Sequence, residues 1–248
     1  MPAWEMKQVR KGGWSPLEAL RWKKDGILNQ RGVWESRKAF VLAPWETRIP
    51  GVIENAENAR ASHDRIERES IQRTVLGRTS TVSENRTILI FTDGSGYEGM
   101  VGASALAPRE SIFERRHLGT TDESTVYVAE LHGIEMAVAR FVNQQHRKFT
   151  KLIIFSDCPA AMQAVQNPKR SSGQHVLSNI YDHVRTLRAA QQQTLTSDRI
   201  PIEIRWVPAH VGVPGIETAD VEAKLAAIGG AGGAGGTGGT RIRSIPRQ

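Results

Sequence analysis

The sequence predicts a mixed α/β fold: a five-stranded sheet, with three antiparallel strands followed by parallel ones, flanked by helices. Between residues 86 and 228, short apolar runs typical of buried strands alternate with longer segments in which apolar residues recur every three or four positions, as on one face of a helix. The first three runs are joined by connections too short for a helix, so we expect them to pair antiparallel. Helical segments separate the later runs, which indicates helices on both faces of one sheet.

The elements are predicted in the order β-β-β-α-β-α-α-β-α. The strands are the apolar runs at Thr87–Thr92, Val101–Ala107, Ser111–Leu118, Lys151–Phe155 and Ile202–Val207. A turn at Pro108–Glu110 separates the second strand from the third. The helices are the periodic segments at Ser124–Gln145, Pro159–Gln166, His175–Gln193 and Glu217–Ile228.

Local signals support these helices. Pro159 is favoured near a helix start, and the glycine run from Gly229 ends the last helix. The two longest helices carry apolar stripes, which are Val128, Leu131, Ile134 and Val138 in the first and Val176, Ile180, Val184 and Leu187 in the second. We expect both stripes to face inward.

The flanking segments lack this regular pattern. Residues 1–85 hold five of the six tryptophans, with poor periodicity and interrupting Gly and Pro residues, which predicts a partly disordered connector. Within it, the charged stretch 54–73 is compatible with a polar helix, but because it has no convincing apolar face a flexible linker is favoured. Residues 229–248 begin with a Gly-rich run that predicts a flexible tail. A domain at 86–228 thus lies between a connector and a tail.

Composition excludes several classes of protein. The single cysteine, Cys158, excludes an intramolecular disulfide framework and favours a reducing compartment. No apolar stretch approaches the roughly 20 residues of a membrane span, and the N-terminus lacks the apolar region of a signal peptide. We therefore expect a soluble intracellular protein of the nucleus or cytoplasm that is neither secreted nor bound to a membrane.

The net charge of +7 permits a nucleic-acid partner. Basic and acidic residues balance within residues 86–228, so the basic excess lies in the two flanks. Two interpretations stay open: the flanks help to bind phosphate backbones, or they are solvated linkers.

Four acidic residues stand where a metal site would need them. Asp93 and Asp157 each follow an apolar strand, which places their carboxylates at the rim of the sheet. Glu130 lies within the helical apolar stripe, where Glu is seldom found unless paired or metal-bound, whereas Glu135 is expected to be solvated. Asp220 lies on the last helix. Converging carboxylates repel one another without cations, and oxygen ligands suit Mg²⁺ or Mn²⁺.

Each acidic residue alone has a plainer interpretation. Asp93 and Gly94 form a common turn pair, Asp157 is a good N-cap for the helix that follows it, and Asp220 is compatible with an ordinary surface acid. The joint order and context of the four favour a shared metal site.

Four segments form a specific ordered set: TDGS at Thr92–Ser95, AEL at Ala129–Leu131, SD at Ser156–Asp157 and PAHVGVPGIETADVEAK at Pro208–Lys224. In this order they resemble ribonuclease H of the type 1 class, especially the domains fused to reverse transcriptases of non-LTR retrotransposons. The resemblance covers about Arg86 to Ile228. One position departs from it, because the family usually has Asn where this chain has Ile216.

The resemblance implies a ribonuclease H-like fold and endonucleolytic hydrolysis of the RNA strand of RNA–DNA hybrids with two Mg²⁺ ions, Mn²⁺ being an alternative. It implies that Asp93 bridges both ions, that Glu130 and Asp157 complete their shells, and that Asp220 holds the ion of the attacking water. It further implies that His210, on a loop, transfers a proton or assists product release.

Substrate contacts follow from the same resemblance. Gly94, Ser95 and Gly96 are expected to approach the RNA strand through backbone and hydroxyl groups. Lys169 and Arg170 are expected to meet phosphates.

The surrounding sequence bears on context. The segment Phe40–Trp45 is similar to the connector between reverse transcriptase and ribonuclease H in fungal-type elements, which implies a reverse transcriptase in a longer polyprotein. A non-catalytic nucleic-acid-binding remnant of a retroelement polyprotein is one alternative, favoured by Ile216 and by the lack of a polymerase Tyr-x-Asp-Asp motif. A 3′–5′ exonuclease is another, but it would need Asp-x-Glu on the first strand, where this chain has Asp93 followed by Gly94 and Ser95.

Overall fold

A computed structural model describes residues 40–76, 87–144, 151–168, 172–191, 201–209 and 212–229. Within these residues the strands are β1 (Gly51–Val52), β2 (Thr87–Tyr97), β3 (Met100–Ala107), β4 (Ile112–Thr120), β5 (Lys151–Ser156) and β6 (Ile202–Trp206). The helices are α1 (Ala56–Leu76), α2 (Val126–Gln144), α3 (Pro159–Gln166), α4 (Gln174–Gln191) and α5 (Pro214–Gly229), with a 3-10 turn at Pro108–Glu110.

The strands form one mixed sheet in the order β1-β6-β5-β2-β3-β4. Strands β2, β3 and β4 are antiparallel neighbours, whereas β2, β5, β6 and β1 run parallel. The predicted mixed sheet flanked by helices is confirmed, but it has one strand more than expected. Gly51 and Val52 pair with Ile204 and Arg205, and two residues are too few to show the alternation by which a strand is recognised.

Helices cover both faces of the sheet, each over its own apolar cluster. Along β2, Ile88 and Ile90 enter one cluster and Leu89 and Phe91 enter the other, as the two-residue period of a strand requires. The predicted stripes of α2 and α4 belong to the first cluster, and one side of α5 belongs to the second. Among the described residues, no helix is both long and apolar enough to cross a bilayer.

Helix α1 packs on the second cluster, so the expectation of a flexible linker in this charged stretch is wrong. Ala59 and His63 are buried, and Ile66 packs against the cluster. The His63 ring lies with its centroid 5.8 Å from that of Phe91 and 5.0 Å from that of Phe155. An alanine and a histidine add little to an apolar pattern, so this narrow stripe is hidden in the sequence. Contacts of this narrow stripe with the second cluster, rather than a wide apolar face, stabilise the helix.

Strand β2 is longer than predicted, and its TDGSG segment is not a turn. Because β3 keeps pairing with β2 after β5 has ended, the segment stays extended. The chain reverses at Glu98 and Gly99, whose φ values are 47° and 76°, as a two-residue hairpin requires. The turn interpretation of Asp93 and Gly94 is therefore wrong, and Asp93 lies inside a strand rather than beyond its end.

Candidate active site

Three carboxylates meet where the parallel and antiparallel parts of the sheet join. Thr92 of β2 pairs with Ser156 of β5, so the residues that follow them, Asp93 and Asp157, emerge side by side. Helix α2 packs on β2 and β3 and adds Glu130. One carboxylate oxygen of each residue lies within 4.8 Å of those of the other two. Two strands and one helix thus build a compact acidic cluster.

Glycine lets α2 approach β2 closely. A Cβ at Gly94 would overlap the backbone nitrogen of Glu130 and the carbonyl carbon before it. A Cβ at Gly133, one turn further along α2, would lie 3.0 Å from the carbonyl oxygen of Ser104. Only a residue without a side chain fits such a close approach of two backbones. This packing sets Glu130 against Asp93.

Two members of the cluster, Asp93 and Glu130, are buried acids. Asp93 is 5% and Glu130 6% exposed, and one oxygen of each (Oδ2 and Oε2) has no hydrogen-bond partner among the described residues. Burial, followed by the charges of Asp157 and Asp220, raises the pKa of Asp93 to about 7. Burial, followed by the charges of Asp93 and Asp157, raises the pKa of Glu130 to about 9. Such a cluster needs protons or a cation to neutralise it.

The backbone of Asp157 is fixed by β5 and β6. The Trp206 indole Nε1 donates a hydrogen bond to the Asp157 carbonyl oxygen at 3.1 Å, and the Cys158 amide donates to Ser156 Oγ at 3.2 Å. The N-cap of α3 is Cys158, so the interpretation of Asp157 as the cap is wrong. The sequence did not reveal Trp206, because a hydrogen bond between two strands leaves no local pattern.

Asp220 approaches the cluster from α5 without joining its closest group. Its charge raises the pKa of Asp93, which places it within electrostatic reach. Its Oδ2 accepts a hydrogen bond from Lys224 Nζ at 2.7 Å, one turn further along the helix. Lys224 in turn lowers the pKa of Asp93. Lys224 was not predicted as a partner of Asp220, although the four-residue spacing of an acid and a base on a helix is a usable signal for such a pair.

Comparison with known proteins identifies the family. The ribonuclease H family model matches residues 85–228. The chain belongs to the ribonuclease H family. One similar solved structure is the foamy viral protease-reverse transcriptase in complex with RNA/DNA hybrid, with 16% sequence identity and a TM-score of 0.41. The match covers 56% of this chain and 20% of that one, so this chain spans about one fifth of its length. No curated protein matches the sequence.

The three small residues predicted to contact RNA differ in exposure. Gly94 and Ser95 are buried, and Gly94 is the residue packed against α2. Gly96 is exposed and, among these three, presents its backbone most openly to solvent. Their contacts with RNA stay predictions.

Three predicted site residues lie outside the described part of the chain, and their roles stay predictions: His210, Lys169 and Arg170. The loop that follows His210 is described again from Gly212, whose amide donates a hydrogen bond to Glu217 Oε1 at 3.1 Å. This contact ties the end of the loop to the first turn of α5, the helix of Asp220.

Ile216 occupies the position where the resemblance leads one to expect Asn. It is 2% exposed and belongs to the apolar cluster that includes Phe91, Val213 and Ala219. The neighbouring Gly215 packs on the same ring, since a Cβ there would lie 2.5 Å from Phe91. In this chain the position therefore helps to seat α5 on the sheet.

Glu135 is buried, so the expectation of a solvated side chain is wrong. Its Oε2 accepts a hydrogen bond from Arg116 Nη1 and lies 2.9 Å from His132 Nδ1. Burial alone would raise the pKa of Glu135, but the hydrogen bonds from His132 and Arg116 lower it to about 2. The Arg116 cation compensates the Glu135 carboxylate, whereas the charges that shift the pKa of Glu130, on the same helix, are those of Asp93 and Asp157.

The acidic cluster fits a divalent cation. Its ligand atoms are carboxylate oxygens, which hard ions such as Mg²⁺ and Mn²⁺ prefer. Asp93 and Glu130 each have an oxygen without a partner in the part of the chain that the structure describes, and both have raised pKa values; a bound cation would relieve both features. Asp157 completes the closest group, and Asp220 lies within electrostatic reach of Asp93.

Proposed function

We propose that this chain hydrolyses the RNA strand of RNA–DNA hybrids as an endonuclease, with two Mg²⁺ ions as cofactors. The observation that carries the proposal is the convergence of Asp93, Glu130 and Asp157 in a member of the ribonuclease H family; Asp93 and Glu130 are buried, and each has an oxygen without a hydrogen-bond partner among the described residues. Mn²⁺ has the same ligand preference and is expected to substitute.

Different residues of the chain are proposed to bind the ions and to assist the reaction. Asp93, Glu130 and Asp157 would hold the first ion, and Asp93 and Asp220 would hold the second. When bound, the ions neutralise the scissile phosphate and make a bound water more acidic. His210 is proposed to transfer a proton or to assist product release. The closeness of α2 to β2 keeps Glu130 and Asp93 in position before substrate arrives, so no reorganisation is required.

Substrate recognition is proposed to rest on backbone and hydroxyl groups next to the cluster. Ser95 and Gly96 follow Asp93 on the part of β2 that pairs only with β3, next to the carboxylates. Contacts from this segment to 2′-hydroxyl groups would distinguish RNA from DNA at the cleaved strand. Lys169 and Arg170 are proposed to bind phosphates.

The cellular context is part of the proposal. We infer that the domain at residues 86–228 acts within an intracellular retroelement polyprotein, beside a reverse transcriptase. The segment at residues 1–85 would connect the two, and the Gly-rich stretch at 229–248 would form a flexible tail. The similarity of Phe40–Trp45 to such a connector supports this inference.

The test is a panel of duplexes of one sequence: RNA–DNA, RNA–RNA and DNA–DNA, with each strand labelled in turn. Incubated with the full chain and Mg²⁺, only the RNA strand of the hybrid should be cut, at internal positions, and EDTA should stop the reaction. Binding of the hybrid without cleavage in either Mg²⁺ or Mn²⁺ would overturn the proposal in favour of a non-catalytic binding remnant. Cleavage of DNA–DNA at a similar rate would overturn the assignment of the substrate.

A further inference from the structure

We propose that Lys224 competes with the second metal ion for the Asp220 carboxylate, so that the second ion binds more weakly than the first. The inference rests on the proposed function, because it concerns the same metal site. It adds a positioning residue that controls the order in which the site fills.

The four acids are not equivalent. Asp93, Glu130 and Asp157 bring oxygens within 4.8 Å of one another, and Asp220 is not part of that group. Asp220 is also the one whose carboxylate forms a described hydrogen bond with a lysine, Lys224 Nζ at 2.7 Å. The first ion can therefore bind at Asp93 and Glu130 through oxygens that have no hydrogen-bond partner among the described residues, whereas an ion at Asp220 must share its carboxylate with an ammonium group.

The backbone of α5 is fixed against the sheet, so the pair cannot separate by movement of the helix. A Cβ at Gly102 of β3 would overlap backbone atoms of Ala223 and Ala227. Ser104 Oγ donates a hydrogen bond to the Ala219 carbonyl oxygen at 2.8 Å, next to Asp220. The Lys224 side chain is 44% exposed, so it can leave Asp220 by rotating into solvent. Release of the carboxylate is thus a side-chain event.

Charge gives the direction of the effect. Three carboxylates around one divalent ion leave a single net negative charge. Asp220 adds a second negative charge, and the positive charge of Lys224 cancels the one that Asp220 adds. Lys224 also acts on the group of three, since its charge opposes the rise in the pKa of Asp93. A second ion therefore meets a neutral Asp220–Lys224 pair and is repelled by the ammonium group. An incoming phosphate adds negative charge and gives Lys224 another partner, so substrate should favour entry of the second ion.

The experiment counts Mn²⁺ bound to the full chain, from the electron paramagnetic resonance signal of the free ion, without nucleic acid. Lys224→Gln removes the charge at similar length, and Lys224→Arg is the matched control that keeps it. Wild type should bind one ion tightly and one weakly. Lys224→Gln should raise the affinity for the weakly bound ion on the order of tenfold and leave the affinity for the tightly bound ion little changed. Loss of a partly exposed ion pair, together with loss of the repulsion between the ammonium group and a divalent ion, has an effect of about that size. Lys224→Arg should behave like wild type.

A second pair of variants shows which carboxylate is involved. Asp220→Asn should abolish binding of the weakly bound ion, and the double variant that also carries Lys224→Gln should not recover it. Equal affinity for the weak ion in wild type and Lys224→Gln would overturn the proposal, as would tightening of the weak ion in the double variant. The proposed function fails separately: it is wrong if wild type binds two ions but cuts no hybrid, a result that leaves the role of Lys224 standing.

Discussion

Two glutamates on helix α2 occupy opposite electrostatic situations. Glu130 is buried beside other carboxylates, and its pKa rises to about 9, whereas Glu135 is held by His132 and Arg116, and its pKa falls to about 2. The sequence marks Glu130 as unusual because it interrupts an apolar stripe. It did not mark Glu135, since the partners of Glu135 include Arg116 from β4, a contact that exists only in the folded chain.

The first prediction concerns stability without metal. Between pH 4.5 and about 9, folded protein keeps a proton on Glu130 that the unfolded chain has released. The Glu130 contribution to stability therefore falls as pH rises through this window. Because Gln cannot ionise, Glu130→Gln removes this loss of stability. At pH 8 in EDTA the variant should therefore unfold at a higher temperature than wild type. Each kcal/mol gained is worth about 2–4 °C in a chain of this size. Near pH 4 the difference should disappear.

Glu135→Gln is the control of opposite sign. The lowered pKa of Glu135 means that its charge stabilises the fold above pH 4.5, a contribution lost as pH falls towards 2. This variant should therefore be less stable than wild type at neutral pH. Melting curves for both variants across a pH series decide the matter. A Glu130→Gln protein no more stable than wild type at pH 8 would contradict the account of the cluster.

The second prediction concerns Ile216, where the family usually has Asn. Ile216 is buried in the cluster with Phe91 and Val213, so Ile216→Asn should destabilise the protein by roughly 2–4 kcal/mol, through the lost apolar contacts and a buried amide. Ile216→Val, the matched control, should cost about 1 kcal/mol. Urea unfolding measures both. An Ile216→Asn protein as stable as wild type, with faster cleavage, would show that the position faces the metal site instead.

At the scale of elements, the sequence predicted those strands and helices whose apolar residues recur with a regular period. The main strands and the stripes of α2 and α4 follow from apolar spacing, because these elements bury a continuous face. Strand β1 was not predicted, because it has only two residues. A helix at α1 was not favoured over a linker, because it buries only a narrow stripe around His63. The carboxylates were found through their order along the chain, while Trp206 and Lys224 act through contacts that no motif singled out.

The third prediction concerns the contact between β2 and α2. Gly94→Ala places a methyl group on the backbone of Glu130, so helix and strand must separate. The variant should lose roughly 1–3 kcal/mol of stability, as overpacked sites do, and its hybrid cleavage should fall because Glu130 moves away from Asp93.

Gly96→Ala, two residues along the same strand, is the control for packing. Its added methyl group would lie 3.2 Å from a methyl carbon of Val126, a side chain that is partly exposed and can yield. It should therefore unfold close to wild type in a thermal melt. Equal destabilisation by the two substitutions would mean that closeness to α2 is not what requires glycine at Gly94.

At the scale of the whole molecule, residues 40–76 pack on both faces of the sheet. On the first face, Ile49 is buried and the Phe40 amide donates a hydrogen bond to Gln174 Oε1 of α4 at 2.7 Å. On the edge, the Ile204 amide donates to the Pro50 carbonyl oxygen at 2.9 Å. On the second face, α1 places His63 against Phe91 and Phe155, each two residues before an aspartate of the acidic cluster. The folded unit thus extends beyond the residues that the family model matches.

The fourth prediction tests that extension. A chain that begins at residue 85 leaves Phe91 and Phe155 uncovered by α1 and leaves β6 as a sheet edge, so it should unfold at lower urea concentration than a chain that begins at residue 40. Its hybrid cleavage should fall in parallel, because those strands position Asp93 and Asp157. Equal midpoints and equal rates for the two chains would mean that residues 40–84 are dispensable to the catalytic domain.

The most direct test of the central claim compares wild type with Asp157→Asn on a hybrid whose RNA strand is labelled, in Mg²⁺. The substitution removes one charge from the cluster and almost no volume, so the melting temperature should change little while RNA cleavage falls to the level of a reaction without protein. Asp182→Asn, at an exposed aspartate on α4 paired with Arg185, is the matched control and should cleave like wild type. A folded Asp157→Asn protein that cuts the RNA strand at the wild-type rate would contradict the claim that these carboxylates hold the catalytic ions.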